Sequence, residues 1–383
     1  MTDSSTPAIT RLTLTDFRNY AGLRLSADAQ LVALTGSNGA GKTNILEAIS
    51  LLAPGRGLRG AGFEALARQG GGSWAIAAEV MTANGQASLG TGWSANNEAG
   101  DGGGRLVVID GETRKSSGAL GEYMRMLWLT PAMDRLFAGP ASDRRRFLDR
   151  MVTASDPEHG ARILVFEKVM RERNLLLGEP RPDTAWLSSL EAHMAEAAIA
   201  IAAARLVGVE ALQAHIEETR GESSFPWGEI SVDGEIEARV ATTPAVRAED
   251  EYRNILRDSR GIDRSAGRTL KGPHRSDLVV VHGPKQIAAG QCSTGEQKAL
   301  LIGLILAQAR AVKASAGVAP VLLLDEVAAH LDRTRRMDLL EALAALGSQS
   351  WMTGTDAQLF DGLGRDGTVF HVEDGTVKKV MGS

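Results

Sequence analysis

Eight residues carry the most explicit chemistry in this chain. Positions 36–43 read GSNGAGKT and fit the pattern G-x-x-x-x-G-K-[ST] at every fixed position. Between a strand and a helix, that pattern is a phosphate loop. Gly36, Gly39 and Gly41 let the backbone curl, so that successive N–H groups, including those of Ser37, Asn38 and Ala40, point inward at phosphate oxygens. The helix N-terminus adds partial positive charge. Lys42 reaches the β- and γ-phosphates of ATP, and Thr43 offers its hydroxyl to Mg²⁺. A second group, VLLLDE at 321–326, sets two carboxylates at the end of an apolar run. There Asp325 holds Mg²⁺ through water, and Glu326 polarises the water that attacks the γ-phosphate. A third group, CSTGEQK at 292–298, precedes an apolar helix. Ser293 and Glu296 have the spacing of a capping box, which is sufficient for the helix alone. The same serine hydroxyl, the Gly295 N–H and the helix N-terminus also suit one phosphate.

These groups need particular elements around them. Residues 31–35 form an apolar run suited to a buried strand, and residues 44–52 favour a helix. Residues 8–35 alternate like a hairpin followed by the strand that feeds the loop. Strands are expected at 74–80 and 105–110, with mobile hairpin tips across the glycine-rich stretch 84–104. Asp156 and Pro157 start one long helix to about 178, and Asp183 caps a second, about 184–220. The second carries an apolar stripe of Trp186, Leu190, Met194, Ala197, Ile201, Val209, Leu212 and Ile216, read as core of an antiparallel helix pair. Residues 321–324 read as a buried strand, 333–346 as a helix and 350–355 as another strand. The expectation is therefore one α/β domain from residues 1–130 and 270–383, with a helical arm, 131–269, inserted.

The chain has 383 residues, 43% apolar and 23% charged, ordinary values for a soluble protein with two or three domains' worth of core. One cysteine, Cys292, excludes an internal disulfide and a multi-cysteine zinc site and fits a reducing cytoplasm. No secretory signal is visible, and the longest apolar runs, 197–204 and 299–307, are too short to cross a bilayer, so no membrane partner is expected. A net charge of −5 argues against a protein coated in positive charge. The charge is uneven: 222–251 is acidic, 253–275 is basic, and Arg144, Arg145 and Arg146 form a second basic cluster.

Residues 292–298 resemble the signature motif of ABC-type ATPases, and residues 329–332, ending in Asp332, resemble their D-loop. Five further segments resemble the RecF family of recombination proteins: 12–20 with Phe17-Arg18-Asn19-Tyr20, 44–49, 55–59, 144–149 and 271–278. They fall in the family's order, and the resemblance spans nearly the whole chain. It implies an ABC-type P-loop ATPase head, a mixed sheet with helices, carrying an inserted α-helical arm. It implies that Arg18, Ser293, Gly295 and Asp332 join the loop residues at the nucleotide, with Ser293 acting across an ATP-dependent homodimer. It also implies a weak, DNA-stimulated ATPase of the cytoplasm that binds double-stranded DNA and single/double-strand junctions. Its partners would be RecR, with RecO and RecA in the same pathway. Some positions depart from the family: Glu326 and Ser276 stand where aspartate or another acid is usual, and His330 replaces a common glutamate.

The alternatives are the ATPase subunit of an ABC transporter or another structural-maintenance-like ATPase. A transporter subunit needs a glutamine near residue 130 and a switch histidine near residue 355. Residues 127–131 contain no glutamine, and Thr355 is the stand-in for the histidine. For DNA, the candidates are Arg144, Arg145, Arg146, Arg257, Arg260, Arg264 and Arg268, set against the ordinary reading of a solvated, salt-bridged surface. Gly261 and Gly267 argue against one continuous helix through the last four.

Overall fold

A computed structural model of the chain describes residues 7–95, 104–221, 224–364 and 367–380. Packing divides them into two units. The first draws on Met1–Asp134, Thr219–Phe225 and Leu301–Ser383, the second on Arg135–Glu218 and Pro226–Leu300.

The first unit contains two six-stranded sheets. One runs in the order Thr376–Val380, Gly367–Glu373, Leu31–Thr35, Ser350–Gly354, Val321–Leu324, Met126–Leu129, and all its pairings but the first are parallel. Its central strands, LVALT, SWMTG and VLLL, are buried at every residue. Continuous burial is what a parallel strand covered on both faces requires. The other sheet is antiparallel, in the order Tyr20–Ser26, Ala8–Phe17, Ser73–Thr82, Gly85–Ser94, Leu106–Ile109, Glu112–Arg114. Its strands alternate, as in Ser73–Thr82, where Trp74, Ile76, Ala78 and Val80 face inward. One apolar core joins these side chains to Ile45, Leu46 and Ile49 of the helix Lys42–Ser50. That core fixes the phosphate-loop helix against the sheet that feeds it.

The second unit is built on the hairpin of His159–Gly178 and Thr184–Glu218, with shorter helices Ala141–Ser155, Glu235–Thr242, Ala245–Asp258 and Arg260–Ala266. A small antiparallel sheet pairs Gly228–Asp233 with Asp277–His282 and Ile287–Ala288. Arg173 is fully buried at its centre, donating to Glu191 (3.0 Å), Asp263 (2.8 Å), Thr269 and the Leu256 carbonyl. Arg205 likewise binds Asp149, Glu237 and the Pro273 carbonyl. Every nitrogen of these two guanidiniums meets an oxygen, the condition under which buried charge is tolerated.

Several expectations change. The second unit runs past residue 270 to Leu300, because Asp277–His282 pairs with Gly228–Asp233 and ties the later segment to the earlier one. The stretch 84–104 is not all hairpin tip: Gly85–Ser94 is a ten-residue strand, and 96–103 lies outside the described residues. Asp156 caps the end of Ala141–Ser155, and the next helix begins at His159. Asp183 does cap its helix, accepting from the N–H groups of Ala185 and Trp186. Trp186 is 55% exposed, and the buried stripe starts at Leu187 instead. The basic segment forms two helices that break at Ser259, with Gly267 left-handed (φ 65°) as the C-cap. The helix Thr294–Ala316 extends well beyond the apolar run 299–307 and is long and apolar enough to span a bilayer by composition, but 67% of its most apolar window is buried inside the protein, as in a core helix.

Candidate nucleotide site

The phosphate loop connects the buried strand Leu31–Thr35 to the helix Lys42–Ser50. Two of its glycines are dictated by their surroundings. Gly36 has φ 141°, and a Cβ there would lie 2.2 Å from the Val372 carbonyl oxygen. Gly41 has φ 111° at the helix N-cap, and a Cβ would meet the Asn19 amide at 2.5 Å. Ser37, Asn38 and Gly39 are exposed and Ala40 is half-buried. Lys42 is buried, and its Nζ donates to the carbonyls of Gly36 (2.6 Å) and Ser37 (2.8 Å). Burial lowers its pKa, against the opposing pull of Glu326 and Asp325. The ammonium thus waits inside the loop, on carbonyls that a phosphate oxygen can replace.

Thr43 Oγ1 donates to Asp325 at 2.8 Å (Oδ1) and 3.1 Å (Oδ2). Asp325 emerges at the carboxyl end of Val321–Leu324, one strand removed from the loop's own strand. Open α/β sheets bind their ligands at that edge. Glu326 follows at φ 53°, ψ 21° and is half-buried. Thr353 Oγ1 donates to Asp325 Oδ1 (2.7 Å) and accepts from the Glu326 N–H (2.8 Å). Thr355 is exposed and lies outside this network. Asp332 caps the helix Arg333–Leu346, accepting from the Arg335 N–H at 2.9 Å. The His330 side chain lies outside the described residues.

The segment 17–20 packs onto the loop. Asn19 Nδ2 donates to the Ala40 carbonyl (3.2 Å), and Tyr20 Oη donates to the Gly41 carbonyl (3.1 Å). Arg18 forks onto buried Glu47 through two 2.8 Å bonds and also donates to Ala65. Arg59 shares Glu47 at 2.9 Å. Arg18, Asn19, Asn44, Arg59 and Arg68 line an open groove of about 660 Å³ beside the loop helix. Guanidinium and amide donors make it a surface for anionic or polar parts of a ligand. Asn19, Tyr20, Arg59 and Thr353 were not singled out from sequence. The first three lie within segments that carry the family resemblance; Thr353 lies where a transporter's switch histidine would fall, but Thr355 is the residue the sequence points to there.

In the second unit, the capping box closes as expected. The Ser293 N–H donates to Glu296 (3.0 Å), and the Glu296 N–H donates to Ser293 Oγ (3.4 Å). Lys285 pairs with Glu296 and, with Ser293, holds that carboxyl down at about 2. Ser293, Thr294 and Gly295 stay exposed at the helix start. The DNA candidates divide into two groups. Arg144 forks onto Asp277 (2.8 and 2.6 Å), a hydrogen bond that raises its pKa; Arg145 donates to the Ser276 carbonyl (2.6 Å); Arg260 forks onto buried Glu191. Arg146, Arg257, Arg264 and Arg268 are more open. Arg146 pairs with Asp143 while 77% exposed, Arg257 only edges Asp258 (3.4 Å), Arg264 reaches the Glu179 carbonyl, and Arg268 is exposed.

The model of the RecF/RecN/SMC N terminal domain matches residues 8–378. The chain is 51% identical to the DNA replication and repair protein RecF of Mesorhizobium japonicum over 371 residues, 96% of this chain and 97% of that one. It is 50% identical to the protein of the same name from Brucella suis biovar 1, over 96% and 95% of the two chains. Among solved structures, it is similar to the recombination mediator protein RecF-ATP in the RecFOR pathway, with TM-score 0.85, 24% identity and 98% of both chains covered. A Smc head domain from Pyrococcus furiosus aligns with TM-score 0.53 at 16% identity, over 98% of this chain and 96% of that one. These likenesses place the fold with RecF and Smc ATPase heads, and the relatives do not favour a transporter subunit. A family model over most of the length and relatives at half identity across nearly all of both chains carry one conclusion: this chain belongs to the RecF family.

Proposed function

We propose that the chain is an ATP-dependent DNA-binding ATPase of recombinational repair. One observation carries this reading: Lys42, Thr43, Asp325 and Glu326 converge at the carboxyl edge of one parallel sheet, from two strands that flank Ser350–Gly354. Lys42 exchanges its two carbonyl partners for β- and γ-phosphate oxygens of ATP. The backbone of residues 36–41 and the groove beside Arg18 hold the rest of the nucleotide. Thr43 and Asp325 bring hard oxygen donors within 2.8 Å of each other, the donor chemistry Mg²⁺ takes. Mg²⁺ held there would offset charge on the phosphates. Glu326 orients the attacking water and accepts its proton.

Ser293 and Gly295 complete the γ-phosphate shell from a second copy of the chain, with exposed hydroxyl and N–H donors at a helix start. Asp332 lies in the D-loop of the same dimer. Two protomers then sandwich two ATP molecules and close on double-stranded DNA or a single/double-strand junction. The open arginines, 146, 257, 264 and 268, suit phosphate contact better than the occupied Arg144, Arg145 and Arg260. Weak, DNA-stimulated hydrolysis reopens the dimer. RecR, with RecO and RecA, are the partners of this cytoplasmic pathway. Light scattering and duplex-DNA anisotropy test the reading. Lys42→Ala should form no ATP-dependent dimer, and Glu326→Gln should stay dimeric on DNA. A Lys42→Ala protein that dimerises with ATP like wild type contradicts it.

A further inference from the structure

Glu326 has a backbone conformation that a side-chain-bearing residue adopts only when its surroundings hold it there, φ 53°. What holds it is a neighbouring strand. Ser350–Gly354 lies between Leu31–Thr35 and Val321–Leu324, with Met352 opposite Leu324. Thr353 therefore sits beside the point where the carboxylate strand ends. It is 1% exposed, and its hydroxyl is engaged in both directions. It donates to Asp325 Oδ1 at 2.7 Å and accepts the Glu326 N–H at 2.8 Å. A single hydroxyl thus fixes the rotamer of the Mg²⁺-side carboxylate and the backbone that aims the Glu326 side chain.

We infer that Thr353 is a positioning residue for ATP hydrolysis, acting through Asp325 and Glu326 rather than on the nucleotide. This rests on the ATPase reading above. Thr43 also donates to Asp325 Oδ1, yet that hydroxyl is the one a bound cation would claim. Thr353 is placed to keep Asp325 oriented when Thr43 turns away. Valine has the shape of threonine and neither half of this bond pair, so Thr353→Val removes the function with little change in volume. Serine keeps the hydroxyl.

The test is single-turnover and steady-state ATP hydrolysis of wild type, Thr353→Val, Thr353→Ser and Glu326→Gln, with fluorescent-ATP binding and thermal melting alongside. Thr353→Val is expected to lose about tenfold or more in kcat with KM and nucleotide Kd within about threefold of wild type. Thr353→Ser is expected to recover most of that loss. If Thr353→Val does not fold, Thr353→Ala against Thr353→Ser makes the same comparison. Wild-type kcat in Thr353→Val, a serine variant as slow as the valine variant, or a KM that rises in step with the lost kcat overturns the inference. The two readings separate cleanly. An active Glu326→Gln overturns the role of Glu326 itself, whereas an active Thr353→Val beside an inactive Glu326→Gln overturns only the role of Thr353.

Discussion

Arg144 offers a decisive case, because its position in a triple-arginine run invites a DNA role while its bonds describe a structural one. Its guanidinium forks onto Asp277 at 2.8 and 2.6 Å and donates further to the carbonyls of Phe137 and Gly139. The side chains are 18% and 27% exposed, between a surface pair and a buried one. A surface pair is worth at most about 1 kcal/mol. Breaking a fully buried pair costs about 3–5 kcal/mol. Arg144→Ala should therefore destabilise the chain by about 2–3 kcal/mol, and a double-mutant cycle with Asp277→Asn should return about 1–2 kcal/mol of coupling. Each phosphate contact contributes about 0.9 to the slope of log K against log salt. Since Arg144 is already engaged, Arg144→Ala should leave that slope unchanged. Urea unfolding gives the first quantity, and duplex-DNA anisotropy across a salt series gives the second. Unchanged stability together with a slope reduced by about one unit would refute the structural assignment of Arg144.

Three further outcomes follow from the same geometry. Arg268→Ala, which removes an exposed guanidinium, should lower the DNA salt slope by up to about 0.9 with stability changed by less than about 0.5 kcal/mol, read in the same two assays. Gly36→Ala places a Cβ 2.2 Å from the Val372 carbonyl at a φ that alanine avoids, so fluorescent-ATP binding should fall at least tenfold; retained affinity would mean that the loop can shift. The Glu296 carboxyl is held at about 2 by Lys285 and Ser293, well below its ordinary 4.5. A depressed folded-state pKa stabilises above the unfolded value and stops doing so as pH falls through the folded one. Glu296→Gln should therefore be less stable than wild type at pH 7, with the gap narrowing as pH falls from about 4.5 toward 2, by urea titration at stepped pH.

The nucleotide half-site was legible because its residues act through local backbone geometry. The spacing of Gly36, Gly41, Lys42 and Thr43 encodes the turn, and the apolar strand before it encodes the burial. Asp325 and Ser293 were legible for the same reason, one ending a buried strand and the other opening a capping box. Thr353 was not, since its role depends on which strand lies beside Val321–Leu324, and register is a long-range property. The arginines fared similarly. Sequence grouped them by charge, but Arg144, Arg145 and Arg260 find their oxygens as far as 133, 131 and 69 residues away. The expected border near residue 270 failed because the pairing of Gly228–Asp233 with Asp277–His282 crosses it, out of view of local composition. The exposed Trp186 illustrates a further limit: a helical stripe gives a face, and only packing says where that face ends.

The central claim is that one nucleotide is gripped by Lys42 of one chain and Ser293 of another. Mixing two inactive variants tests it most directly. In a heterodimer of Lys42→Ala with Ser293→Ala, one composite site carries both lesions and the other carries neither. Each variant alone should show little ATP hydrolysis on duplex DNA, while an equal mixture should regain activity, about a quarter of the wild-type rate where all chains pair at random, because each mixed dimer holds one intact site of two. A mixture no faster than the mean of its two components would contradict a site shared between chains.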